Sequence, residues 1–272
     1  MCERPVGPPA GALGIRPPAW LAGGARRRYP VAAMVRFSLF GIPVTIEPWF
    51  WVSAALLGGA LGATTAESLF KVLLFMLVAL VSIMAHEFGH ALVGRRLAGG
   101  QPTVTLWAFG GLATHHGARF TRPGRMATIL AGPGAGLLVF ALVVGALCIA
   151  FRPAHGLALS SLVLFGTSPL PVGPELPAAL ARLPDRAWWL LADLLTVNFW
   201  WSLINLLPVL PLDGGQLAEL VLPRRRALLL SAVTAAAVAL AGLLVLRAFF
   251  LALLFGYLAW RSYGGLRRPW AG

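Results

Sequence analysis

The sequence predicts an all-α polytopic membrane protein of about six transmembrane helices, with short membrane-associated β-hairpins between them. Three observations predict it. Of the 272 residues, 58% are hydrophobic and only 11% charged, whereas soluble domains carry about a quarter charged residues. So little polar material cannot cover a globule in water, and the solvent of such a chain is lipid. The apolar residues gather into stretches near 47–63, 69–94, 125–151, 187–207, 227–246 and 248–262, and a bilayer core demands about 20 residues. Basic residues punctuate those stretches. With the N-terminus placed inside, Lys71, Arg152, Arg182 and Arg186 fall outside, Arg247 lies between the last two segments, and the other 17 are cytoplasmic. That asymmetry puts both termini in the cytoplasm. It also accounts for the net charge of +13 without nucleic acid, which would require the charge on one solvated face.

Taken in chain order, residues 1–33 are rich in Pro, Gly and Arg and lack the apolar run of a secretory signal. They read as a disordered or spurious leader, with the working domain running from Met34 to residue 272. Two stretches break the helical pattern. Residues 37–48 (FSLFGIPVTIEP) and 103–116 (TVTLWAFGGLATHH) are β-branched and aromatic, each interrupted by glycine. Both read as hairpins, the second turning at Gly110–Gly111. Bare strand edges are not tolerated in lipid, so the hairpins must pair, lie at the interface or receive another strand. The loop 152–186 holds a modest apolar run at 160–166 with no assigned role. Segment 248–262 is short for a full crossing. Cys2 and Cys148 provide no disulfide framework.

The second segment carries His86-Glu87-Phe88-Gly89-His90. On a helix, positions i and i+4 share a face, so His86 and His90 offer two imidazoles to one metal. Glu87, one position on, can take a proton from an activated water. A chance match is disfavoured because each ionisable group in a bilayer costs about 2.5–3.5 kcal/mol on insertion scales. Three together need a function.

Catalytic zinc takes three protein ligands, and the third has several candidates: His115, His116, His155, Asp193, Asp213 and Glu219. His115 and His116 follow the second hairpin and read as solvated loop residues; His155 lies on the opposite side; Asp193 sits near the outer end of its segment. Asp213 differs. It closes NFWWSLINLLPVLPLDGGQ, in which Pro208 and Pro211 stop a helix and Gly214–Gly215 let the backbone turn near a ligand. Unwound backbone at membrane depth survives where it lines a cavity or is buried in protein. His86 is nine residues before Arg95, about 13 Å along a helix, so both halves sit near the cytoplasmic side.

Together, HEFGH at 86–90 and Asn205-Leu-Leu-Pro-Val-Leu-Pro-Leu-Asp213-Gly-Gly resemble the site-2 protease family of intramembrane zinc metalloproteases, in its compact form without PDZ or CBS domain. AGPGAG at 131–136 is similar to that family's glycine-rich motif, although Gly136 stands where many relatives have Asn. The resemblance implies His86, His90 and Asp213 as ligands of one zinc ion and Glu87 as catalytic base. It implies Asn205 as a group that positions substrate or polarises its carbonyl, with Asn198 a second candidate for that task. The hairpins resemble the family's membrane-associated β elements, so Gly110 and Gly111 are expected at a substrate-binding strand. Implied partners are a membrane-spanning protein substrate and the lipid bilayer, with self-association left open and nucleic acid excluded. The implied location is a bacterial plasma membrane. The rival reading is a zinc or divalent-cation transporter, since intramembrane His and Glu also mark ion pathways. It requires polar residues strung across the membrane, and the last two segments offer almost none.

Overall fold

The computed structural model describes residues 34–170, 181 and 183–267. The expected leader, 1–33, lies outside the described residues. From Val35 onward the elements are β1 (Val35–Leu39), β2 (Ile42–Ile46), α1 (Pro48–Leu57), a 3₁₀ turn (Ala60–Gly62) and α2 (Ala66–Ala98). Then follow β3 (Gln101–Trp107), β4 (Gly110–His116), α3 (Arg122–Phe151), α4 (Pro153–Phe165), α5 (Asp185–Asn205), α6 (Asp213–Val221), α7 (Arg224–Leu244) and α8 (Phe249–Arg267).

Among the described residues, α2, α3, α5 and α7 are long and apolar enough to cross a membrane. Segment 47–63 does not make such a helix. α1 stops after ten residues, about 15 Å, because Gly58 and Gly59 follow and Gly59 adopts φ +87°, a conformation open chiefly to glycine. The last segment forms a 19-residue helix, α8. The loop after α3, to which no role was attached, contains α4, whose 13 residues run from Pro153 to Phe165 and are followed by Gly166 in the left-handed conformation.

The two hairpins do not stand alone. β2 pairs with β3 in parallel, Val44 opposite Val104, and joins them into one sheet of order β1-β2-β3-β4. Ile42, Val44 and Ile46 alternate along β2 and Val104 and Leu106 along β3, so one face of the sheet is apolar. That face packs on Phe50, Ile83, Phe88 and Ala91. Arg95, at the end of α2, donates to the Phe40 carbonyl in the β1–β2 turn at 3.0 Å. The sheet is thereby fastened along the half of α2 that carries the HEFGH motif.

The second hairpin turns at Ala108–Phe109, not at Gly110–Gly111: Gly110 already pairs with Trp107 and Gly111 with Leu106. The glycines were read as a turn, but space rather than φ accounts for Gly111. A Cβ on Gly110 would meet the Trp201 indole, and one on Gly111 the Glu87 side chain.

Candidate metal centre

α2 begins with a capping box between Thr65 and Ser68 and runs 33 residues without a proline. Its buried stripe reads Ser82, Ile83, His86, Glu87, His90, Ala91, Gly94, the i, i+3, i+4 repeat of one helix face. His86 and His90 therefore project together, their rings 4.8 Å apart and edge to face.

Asp213 reaches them from the opposite end of the sequence. α5 ends at Asn205, and Pro208 and Pro211 keep the chain irregular up to Leu212, which precedes α6. The fold back is close: a Cβ on Gly214 would overlap the Leu206 and Leu207 carbonyls, and one on Gly215 the Val209–Leu210 peptide. Only glycine fits at either position. The carboxylate of Asp213 then lies 3.1 Å from His86 Nε2 and 3.3 Å from His90 Nε2, and the two Nε2 atoms are 3.1 Å apart.

These three edges suit a metal. Two ligand atoms about 2.0–2.1 Å from a tetrahedral zinc stand about 3.3–3.4 Å from each other, close to the observed triangle. The donor chemistry agrees. His90 Nδ1 donates to the Thr128 carbonyl at 2.8 Å, which leaves its Nε2 with a lone pair turned to the cluster. Gly132 makes room for that ring, since a Cβ there would overlap the His90 imidazole. His86, Glu87, His90 and Asp213 are all buried, at 2–9% exposure. Three electron-pair donors crowded together in such a place call for a cation between them. His86, His90 and Asp213 could hold one, and among the described residues no other such trio occurs.

Known proteins resemble this chain. A Mycobacterium tuberculosis protein carrying the name zinc metalloprotease Rip3 is 36% identical over 146 residues, 54% of this chain and 30% of that one. A Synechocystis protein named as a zinc metalloprotease, sll0528, is 30% identical over 201 residues, 67% of this chain and 42% of that one. The chain thus spans less than half the length of these curated relatives. The solved site-2 protease of Methanocaldococcus jannaschii superposes with a TM-score of 0.50 at 18% identity, covering 88% of this chain and 98% of that one. No family model matches the sequence. The chain has the fold of that site-2 protease and is similar in sequence to both zinc metalloproteases.

In this integral membrane protein, Glu87 is roofed by β4: Gly111 packs on its side chain and the Ala113 amide faces its carboxylate. Asn205, the last residue of α5, donates through Nδ2 to the Trp201 carbonyl at 2.9 Å and is not one of the three converging groups. Asn198 is buried, and its Nδ2 donates to Ser82 Oγ and to the Leu194 carbonyl, both at 2.9 Å. It ties α5 to α2 one turn before His86.

The remaining ligand candidates lie elsewhere. His155 is in α4, Asp193 in α5 and Glu219 in α6. His116 ends β4, exposed. His115 is not the solvated residue its position suggested. Its ring fills the space beside Gly94 and stacks edge-on with Phe120 at 5.4 Å, and burial pushes the imidazole's pKa below its ordinary value. The sequence signals this contact only through the absence of a side chain at Gly94.

Proposed function

We propose that the protein is an intramembrane zinc metalloendopeptidase that hydrolyses peptide bonds of membrane-spanning proteins near the cytoplasmic face. The observation that carries this reading is the convergence of His86 Nε2, His90 Nε2 and Asp213 Oδ2 within 3.1–3.3 Å of one another. One zinc ion held by these atoms would supply Lewis acidity and a water reactive near neutral pH.

The protein's own groups do the rest. Glu87, adjacent to both imidazoles on α2, accepts the proton of the attacking water and returns it to the leaving amine. Asn205 uses one Nδ2 hydrogen on Trp201 and has a second to offer the substrate carbonyl oxygen. Such a donor contributes typically a few kcal/mol when charge develops on that oxygen. β4 is an edge strand, so a locally unwound substrate segment can add to it as a further strand, with Gly110 and Gly111 in the receiving strand. Helix-breaking residues in the substrate favour this step, because a helical amide is already bonded internally. Asn198 acts instead as a strut between α5 and α2. The arginine asymmetry supports cytoplasmic termini.

Glu87→Gln tests the assignment. The variant is expected to retain zinc and to stop cleaving a co-expressed single-span protein. Full cleavage by it defeats the role given to Glu87. Metal uptake into vesicles by the wild type, without any cleavage, favours a transporter.

A further inference from the structure

Between α5 and α6 the backbone has few amide donors, since Pro208 and Pro211 have none. Four of the remaining amides bond locally: Leu206 to Ser202, Leu207 to Ile204, Val209 to Leu207 and Leu212 to Val209. The Leu210 amide leaves the segment. It donates to Ser231 Oγ on α7 at 2.8 Å, and the Ser231 hydroxyl shares a further hydrogen bond of 2.8 Å with Ser262 on α8. Both serines are buried, at 0% and 3% exposure.

The other side of the same peptide is equally occupied. Gly215 lies against the Val209–Leu210 bond and Gly214 against the Leu206 and Leu207 carbonyls. These are the two residues that follow Asp213. Val209 is anchored as well, buried with Ala235, Phe255 and Leu258 of α7 and α8. A continuous line of contacts thus runs from Ser262 through Ser231 and the Leu210 backbone to the first turn of α6.

We propose that Ser231 and Ser262 are positioning residues for Asp213: the α7–α8 hairpin clamps the Leu210 backbone and so aims the carboxylate at His86 and His90. This rests on the reading of that trio as a zinc site. Buried serines in membrane helices also act as plain packing glue, and the two roles separate in experiment. Packing glue affects how much heat the protein withstands; a positioning pair affects how tightly the trio grips a metal. Ser231 accepts from the amide, so its loss strands a buried donor. Ser262 acts one step further away, by fixing the direction of the Ser231 hydroxyl.

The test uses the full-length protein in detergent, with zinc affinity from chelator competition and the visible spectrum of the cobalt(II)-loaded form. Ser231→Ala is expected to bind zinc about 10–100-fold more weakly, the usual effect of losing a group that supports a metal ligand, and to shift the cobalt bands. Ser231→Thr, which restores the hydroxyl, recovers both. Ser262→Ala leaves the Leu210 amide its acceptor, shows a smaller loss in the same direction, and remains informative if Ser231→Ala fails to fold. Unchanged zinc affinity in the alanine variants, with only a lower Tm, overturns the clamp. A wild-type protein that takes up no zinc overturns the metal reading and the clamp with it.

Discussion

Gly111 rests on the side chain of Glu87: a Cβ at position 111 would overlap Glu87 Cγ and lie 2.5 Å from its Cδ and Oε1. The strand that would receive substrate and the residue that would move the proton are therefore in van der Waals contact through a missing side chain.

Gly111→Ala consequently displaces either β4 or Glu87. A shift of about 1 Å in a reacting group can cost about 100-fold in rate, and a loss of that order in cleavage is expected. Zinc content should stay at the wild-type level, because the three atoms nearest the added methyl all belong to Glu87. Parallel cleavage and metal analysis check both halves; wild-type turnover would mean that the carboxylate works from another position.

Gly132→Ala attacks the centre from α3. The methyl would overlap the His90 imidazole, so the ring must leave its bond to Thr128, and zinc affinity is expected to fall about 10–100-fold. Gly134→Ala, on the same helix with nothing within 4 Å of its Cβ, should bind zinc normally. Equal affinity in the two variants contradicts the packing described.

Asn198→Ala removes the strut to Ser82. Hydrogen bonds between membrane helices contribute about 0.6–2 kcal/mol, so a modest fall in Tm is expected with zinc content and KM retained. Ser82→Ala should reproduce it, and the double variant should cost less than the two singles combined. A raised KM with unchanged Tm would return Asn198 to the substrate site.

Metal removal gives the fourth prediction. A strong chelator should abolish cleavage and lower Tm, since a ligand that binds only the folded state stabilises it by mass action. Added zinc should restore both. Asp213→Asn keeps the shape but removes the charge, and should lose zinc at chelator concentrations the wild type withstands.

Much of the centre was legible in the sequence. HEFGH places two imidazoles by helical period alone, and Pro208, Pro211 and Gly214–Gly215 mark Asp213 as a residue on a turn. The glycines of the second hairpin were misread, because a glycine needed for a positive φ and one needed for a close neighbour look the same in a sequence. Gly111 is of the second kind. His115 was missed for the complementary reason: its partner is the space left at Gly94, and empty space has no letter. The joining of two hairpins into one sheet was open too, since β2–β3 is a parallel pairing across the whole of α2.

By itself, then, the sequence determined the solvent of this protein, its long apolar helices and the three groups that converge, because composition and periodicity act locally along the chain. The tertiary structure alone decided which distant groups support that centre: β4 over Glu87, Gly132 beneath His90, Asn198 on Ser82, and Ser231 on the Leu210 amide. Those relations depend on how helices approach one another, and close approach is set by small side chains and single hydrogen bonds that leave no periodic trace.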